Sequence, residues 1–202
     1  MYRPPHFDET RLPELHGFIR AVRLTTLVTM GEQGLEASHI PVLLKPEEGE
    51  FGTLYAHIAK ANFQWRRSDP KVMGMAVFLG PEAYISPSWY PTKRETGKVV
   101  PTWNYVAVHA YGSVEFFDDR DRLLAIVTGL TELHEANRPD PWAVTDAPAD
   151  YVTAQLKGIV GIRLPIARLE GKWKMSQNRT AEDRKGVIEG LGPDSRVGEM
   201  MS

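Results

Sequence analysis

Aromatic and hydroxyl-bearing side chains concentrate in two neighbouring stretches of the chain, residues 80–91 and 100–105. Two tryptophans and three tyrosines fall there, interleaved with serine, threonine and asparagine. Aromatic faces combined with hydroxyl and amide groups suit a flat heteroaromatic ligand, because the rings stack while the polar groups fix orientation. The alternative is an aromatic cluster that packs under a long loop and binds nothing.

A second candidate site lies where a predicted strand passes into a predicted helix, in the sequence His57-Ile58-Ala59-Lys60-Ala61-Asn62. The free N–H groups and the dipole at a helix start favour an anion, so a lysine beside them makes a candidate phosphate site. Ser38 and His39 lie on the adjacent predicted strand and can add donors. The alternative is a solvated Lys60, since short helices follow strands in many folds.

The six histidines show no tight ligand spacing, and we predict no metal site. His39, His57 and His109 lie on predicted strands and would meet only through the fold. The phosphate-binding P-loop, the GxGxxG dinucleotide sequence and the GxSxG nucleophile sequence are all absent. Serine hydrolysis and Rossmann-type cofactor binding therefore lack support.

Composition narrows the class of protein further. The 202 residues are 42% hydrophobic, and 24 basic against 26 acidic residues give a net charge of -2. We predict one domain over residues 1–202, with no membrane span and no signal peptide. The absence of cysteine excludes disulfides and thiolate chemistry, and it is consistent with the cytoplasmic location that we predict.

Alternating and β-branched runs predict six or seven strands joined mostly by short connections. Tight turns between consecutive strands favour antiparallel pairing, so we predict a mainly β protein, a small antiparallel barrel with peripheral helices near 119–157 and 181–191. The predicted strands cover residues 24–30, 35–44, 53–59, 72–79 with a bend at Gly80-Pro81 into 83–86, 103–117 with an interruption at Gly112, 159–169 and 173–176. Residues 87–101 are a predicted loop, and further short helices follow Thr10 and cover 61–67.

Direct reading of DNA is disfavoured, though DNA stays a possible partner. The two central predicted helices are separated by a long proline-rich loop, which is not the spacing of a helix-turn-helix. Residues 171–202 hold six basic and five acidic residues, so their lysines and arginines are largely offset.

Six segments stand out nearly from end to end of the chain: Met1–Phe7, His39–Pro41, His57–Asn62, Gly80–Tyr90, Val100–Tyr105 and Ser176–Arg179. Together they resemble the PaiB family, the FMN-binding negative transcriptional regulators. It implies an antiparallel split β-barrel of the FMN-binding, pyridoxamine-phosphate-oxidase-like type. Such barrels are usually homodimers with FMN at the subunit interface.

The resemblance also implies which residues hold the cofactor. On the phosphate side these are Ser38, His39, His57, Lys60 and Asn62. Flavin oxidases of this superfamily typically present arginine and lysine there, so the phosphate site of this chain would be less cationic. For the ring and ribityl side the candidates are Trp103, Asn104, Gln177 and Arg179, and for the substrate side they are Tyr84, Ser86, Trp89 and Tyr90.

Two functions from different classes are consistent with these residues. The first is the family's assigned role, an FMN-binding protein that represses transcription. The second is an FMN-dependent oxidoreductase that acts on a small molecule with a nicotinamide or other donor. A third interpretation is a dimeric barrel that has lost its cofactor.

Overall fold

Antiparallel strands joined by short connections dominate the computed structural model, which describes all 202 residues. The strands are β1 (Asp8–Glu9), β2 (Leu24–Gly31), β3 (Gly34–Pro41), β4 (Leu43–Lys45), β5 (Thr53–Ala59), β6 (Gly74–Ile85), β7 (Thr102–Gly112), β8 (Glu115–Phe117), β9 (Ile159–Pro165) and β10 (Arg168–Lys174). The α-helices are α1 (Leu12–Ala21), α2 (Gln64–Arg67), α3 (Thr92–Thr96), α4 (Arg120–Glu135), α5 (Ala149–Leu156), α6 (Ala181–Leu191) and α7 (Arg196–Met201). None of these helices is both long and apolar enough to cross a membrane.

The strands form two sheets, neither of which closes on itself. The first has six strands in the order β1-β10-β7-β6-β2-β3, and the second has four in the order β4-β5-β9-β8. In the first, β2 and β3 form a hairpin whose turn ends at Gly34 with a φ of 97°, a conformation that favours glycine. In the second, β9 lies between β5 and β8 and pairs antiparallel with both.

The chain divides into two compact units. Unit 1 comprises Met1–Phe18, Leu79–Val108 and Glu170–Ser202, and unit 2 comprises Ile19–Phe78 and His109–Leu169. Each unit has its own buried apolar residues. In unit 1 these include Ile85, Val106, Met175, Val187 and Val197, and in unit 2 they include Leu54, Ile58, Phe78, Val160 and Leu164. That residues 1–202 act as one FMN-binding domain stays a prediction.

The two longest predicted helices are confirmed, and their caps explain why. The Asp119 side chain accepts a hydrogen bond from the N–H of Arg122 at 2.9 Å and starts α4, whose buried residues Leu123, Ile126 and Leu130 follow helical spacing. Thr180 caps α6 in the same way, so that helix covers the predicted Ala181–Leu191. The short helix α7 was not predicted.

Two predicted strand boundaries are wrong. The predicted strand 35–44 ends at Pro41, and the chain enters the other sheet as β4. Proline has no N–H for a ladder, which makes Pro41 a strand end in a run that otherwise reads as continuous. The predicted bend at Gly80-Pro81 is absent, because β6 continues through it. A side chain at Gly80 would collide with the ring of Phe18, so the glycine provides space for packing rather than for a turn.

Two further parts of the prediction differ from the structure, and one is confirmed. The predicted loop 87–101 contains α3, which ends at Gly97 with a φ of 68°. The predicted interruption of the long strand at Gly112 is confirmed, because β7 ends there and β8 begins at Glu115. A side chain at Gly112 would collide with the carbonyl oxygen of Pro165. The last two predicted strands are shifted, since β9 already ends at Pro165 and β10 runs over Arg168–Lys174.

Candidate functional site

Ser38 and Asn62, two of the predicted phosphate-side residues, are in direct contact in unit 2. Asn62 Nδ2 donates to Ser38 Oγ at 2.8 Å, and that hydroxyl donates to Oε1 of Gln64 at 2.5 Å. Asn62 Oδ1 accepts the backbone N–H of Gln64 at 3.0 Å and thereby supports the start of α2. The two predicted residues therefore belong to one hydrogen-bonded group.

Gln64 is the centre of that group, although it was not among the predicted site residues. The side chain is fully buried, and its Nε2 is shared among Thr29 Oγ1 at 3.0 Å and the carbonyl oxygens of Leu27 and Glu36, each at 3.3 Å. These contacts join α2 to the β2–β3 hairpin. A single glutamine in a four-residue helix has no distinctive spacing, so only the structure reveals it.

His39 points away from Ser38. It lies opposite Thr26 in the β2–β3 register, and its Nδ1 is 2.9 Å from the Thr26 hydroxyl. Successive strand residues project to opposite faces of a sheet. The side chains of Ser38 and His39 therefore do not converge on one phosphate.

His57 faces the helices that cover the four-stranded sheet. Together with residues of α4 and α5 it lines a cavity of about 270 Å³. Its Nδ1 is buried and has no hydrogen-bond partner. Burial lowers the pKa of the imidazole, so the ring is held neutral over a wider pH range. An unpartnered nitrogen of this kind can serve a ligand.

Lys60 lies at the predicted strand-to-helix junction, but the junction differs from the prediction. The helix starts at Gln64 rather than at residue 61 and has only one turn. The N–H of Lys60 donates to the carbonyl of Gly158 at 2.8 Å, and that of Asn62 donates to Ala59 at 2.9 Å. The Lys60 ammonium lies 3.8 Å from the Asp118 carboxylate, and both side chains are exposed. The ammonium is therefore the main donor that the junction offers an anion.

The ring-side and substrate-side residues belong to unit 1, where Trp103 and Tyr84 form an exposed aromatic pair. Their ring centroids are 6.1 Å apart in an edge-to-face arrangement, and about half of each side chain is exposed. Asn104, next along β7, is buried instead, and its Nδ2 donates to Ser176 Oγ at 3.0 Å. The aromatic pair is therefore available at the surface, whereas Asn104 is not.

Gln177 and Arg179 lie in the turn that follows β10. Gln177 Oε1 accepts the N–H of Met175 at 2.7 Å, and its Nε2 donates to the carbonyl of Trp173 at 2.6 Å, so the amide stabilises the turn itself. Both residues line an open cleft of about 670 Å³ along α6, which Arg184 and Lys185 also line. Three cations, one amide and the carboxylate of Glu189 thus line this cleft.

Three of the four substrate-side residues have structural roles. The Ser86 hydroxyl accepts the N–H of Ser88 at 3.2 Å, and the Trp89 ring packs on α6 over Gly190. Tyr90 is buried in the unit 1 core, with the Arg179 guanidinium 4.8 Å from its ring centroid. Its hydroxyl makes no hydrogen bond of ordinary geometry, and burial is the main cause that raises its pKa.

No three His, Asp or Glu side chains lie close enough together to hold a metal ion. Lys172 and Lys174 are two further residues that were not among the predicted site residues. They alternate along β10 beside aromatic rings. This i, i+2 spacing of lysines on a strand is the signal that would have drawn attention to them.

Comparison with known proteins adds to this geometry. A family model described as "Putative FMN-binding domain" matches residues 1–168. The protease synthase and sporulation protein PAI 2 of Bacillus subtilis is 34% identical over 191 residues, which cover 95% of this chain and 89% of PAI 2.

Solved structures show the same fold at low sequence identity. The conserved hypothetical protein Rv2991 of Mycobacterium tuberculosis aligns with a TM-score of 0.59 at 12% identity, over 88% of this chain and 92% of that protein. The flavocytochrome Anf3 of Azotobacter vinelandii aligns with a TM-score of 0.57 at 14% identity, over 92% of this chain and 78% of that protein. The predicted fold class, an antiparallel split β-barrel with helices, is confirmed, with open sheets rather than a closed barrel. The chain belongs to the FMN-binding domain family, with FMN as its cofactor, and is a homologue of PAI 2.

Proposed function

We propose that this chain is an FMN-binding regulatory protein whose unit 2 holds the FMN phosphate with His57 and Lys60. The observation that carries the phosphate assignment is the buried, unpartnered Nδ1 of His57. Natural proteins satisfy nearly all buried polar atoms, so an orphaned one indicates a missing partner. The regulatory role is supported by the relation to PAI 2, whose name places it in protease synthesis and sporulation.

The donor set fits a phosphate group. His57 supplies a ring nitrogen, and Lys60 supplies an ammonium whose only carboxylate contact is long and exposed. A phosphate dianion competes well for such a lysine, because hydrogen bonds between charged partners are about twice as strong as neutral ones. The cavity of about 270 Å³ beside His57 is smaller than the roughly 300–1,000 Å³ of small-molecule pockets. This volume is small for an isoalloxazine ring, and the lining beside His57 is mostly apolar, so the positive charge for a phosphate would come from Lys60 outside the cavity.

An FMN titration of the purified protein tests this assignment. Lys60→Ala removes one charge-assisted contact, worth roughly 1.5–3 kcal/mol. Because the Lys60 side chain is 42% exposed, we expect the lower end, a loss of about tenfold in affinity. Asp118→Asn removes the competing carboxylate and should strengthen binding.

Lys157→Ala is the matched control, since Lys157 is an exposed lysine of the same unit at the end of α5. Equal FMN affinities of Lys60→Ala, Lys157→Ala and the unchanged protein would show that the junction is not the phosphate site. No saturable quenching of FMN fluorescence by the unchanged protein would refute FMN binding itself.

An FMN-dependent oxidoreductase is the second candidate, and the exposed Tyr84–Trp103 pair favours it. When bound, FMN supplies hydride and electron transfer, and the protein positions the reactants. Consumption of NADH or NADPH by the FMN-loaded protein would support the enzyme, and loss of that activity in Trp103→Ala would assign the pair to it. A salt-sensitive shift of promoter DNA without nicotinamide consumption would support the regulator.

The homodimer with FMN at its subunit interface is a further proposal, as is the cytoplasmic location. The dimer is supported by the family relationship, since barrels of this type are usually dimers. Light scattering of the purified protein with and without FMN tests it. A monomer under both conditions would contradict the dimer.

A further inference from the structure

One face of unit 1 carries exposed aromatic rings on β6 and β7 and two lysines on the neighbouring strand β10. Along β7, Asn104 and Val106 point into the core, whereas Trp103 and Tyr105 lie on the opposite face. The Lys172 ammonium on β10 is 5.2 Å from the Tyr105 ring centroid. We call the following set the lysine–aromatic face: Tyr84, Trp103, Tyr105, Lys172 and Lys174.

The two lysines of this face have no carboxylate partner. Lys172 is only 7% exposed, yet its ammonium contacts only rings, those of Tyr105 and Tyr2. Lys174 donates to the Trp103 carbonyl and the Thr102 hydroxyl, both of which are neutral. Two cations on adjacent positions of one strand face are thus left without a counter-charge.

The acidic groups nearby are already paired. The Glu170 carboxylate binds the ammonium of Met1 at 2.5 Å, and Asp8 binds Arg3 at 2.6 Å. Neither is therefore available to neutralise the lysines. Cations without a counter-charge gain free energy when an anion arrives, because hydrogen bonds between charged partners are strong.

Arg179 is a third cation that adds positive charge near Lys174. Burial lowers the pKa of Lys174, and the positive charges of Lys172 and Arg179 lower it further. The three side chains therefore repel one another in the absence of an anion. A negative charge placed among them would relieve that repulsion.

We propose that the lysine–aromatic face binds a small aromatic carboxylate. Lys172 and Lys174 hold the carboxylate by charge and hydrogen bonds, and the exposed Trp103 and Tyr84 rings contact the aromatic part of the ligand. Charge complementarity selects an anion, and the aromatic surface selects a ring. The site uses residues of unit 1 and does not depend on the proposed phosphate contacts of His57 and Lys60.

Titration calorimetry of the full-length protein tests the site with two ligands of the same shape. 4-Hydroxybenzoate carries the charge, and 4-hydroxybenzamide lacks it. We expect the carboxylate to bind at least tenfold more tightly than the amide. Lys172→Met and Lys174→Met, which keep the apolar stem, should each remove most of that preference. Lys157→Met, which changes an exposed lysine of unit 2, should leave it unchanged.

Equal binding of the two ligands, or an unchanged preference in both β10 variants, would overturn the proposal. If a variant fails to fold, the unchanged protein still decides, because 0.5 M NaCl must weaken carboxylate binding and spare amide binding. A final titration contains saturating FMN. Unchanged affinity for 4-hydroxybenzoate supports a separate site. Displacement of 4-hydroxybenzoate by FMN would instead assign the face to the flavin phosphate and overturn the proposal that it binds a second ligand.

Discussion

Replacing Gln64 with leucine tests whether the hydrogen-bonded group around Ser38 and Asn62 stabilises unit 2. Leucine has a similar size but makes none of the four side-chain hydrogen bonds that join Gln64 to Leu27, Thr29, Glu36 and Ser38. Each is worth about 0.5–1.5 kcal/mol net, and the two at 3.3 Å are the weaker ones. We therefore expect Gln64→Leu to lower the free energy of unfolding by about 2–4 kcal/mol.

Urea unfolding followed by tryptophan fluorescence measures this loss. The matched control is Gln155→Leu, because Gln155 is exposed on α5 and its side chain makes no hydrogen bond within the protein. It should change the free energy by less than about 0.5 kcal/mol. A loss below about 1 kcal/mol in Gln64→Leu would refute the reasoning, since it would mean that the partner groups find water or each other at little cost.

Three further substitutions test other features of the structure. Burial lowers the pKa of His57 below its usual value, so below about pH 6.5 the unfolded chain binds a proton at this residue more readily than the folded chain does. The free energy of unfolding should therefore fall as the pH drops below about 6.5. Urea unfolding at pH 7.5 and pH 5 should show a smaller fall in His57→Phe, and an equal fall would contradict this. Tyr90→Phe removes a buried hydroxyl without a good partner and should raise the free energy of unfolding by up to about 1 kcal/mol; a clear loss in the same assay would mean that the hydroxyl is satisfied. Gly112→Ala should cost about 1–3 kcal/mol because of the Pro165 carbonyl, whereas Gly17→Ala, with open space in α1, should be neutral or stabilising; the reverse order of midpoints in a thermal melt would reject the packing argument.

Helices were predictable from the sequence where a cap and an apolar stripe coincide. Asp119 before α4 and Thr180 before α6 are such caps, and both helices lie where they were predicted. Strands were predictable in kind from alternation, as in β5, which covers the predicted residues 53–59. Strand ends were less predictable, because Pro41 and Gly80 both belong to residue types that signal the end of a strand, yet only one of them ends a strand. Pro41 ends β3, whereas Gly80 continues β6 because Phe18 packs against it.

The candidate site illustrates the same limit at the level of single side chains. Residue types correctly indicated where polar and aromatic groups gather, but the direction of each side chain depends on the register and on burial. Ser38 and His39 are neighbours in sequence and lie on opposite faces of the sheet. Tyr90, predicted for the substrate side, is part of the unit 1 core.

The groups that mark function most sharply are those whose bonding is incomplete. The Ser38–Asn62–Gln64 group is fully bonded within the protein, so it accounts for stability without any ligand. His57 Nδ1 lacks a partner, and Lys172 lacks a counter-charge. Each of these groups reduces a small net stability, and a ligand that supplies the missing partner would bind there with a favourable free energy. Unsatisfied atoms are set by the three-dimensional environment and not by residue type. The sequence could therefore place His57 in a candidate phosphate segment, but it could not show that its Nδ1 lacks a partner.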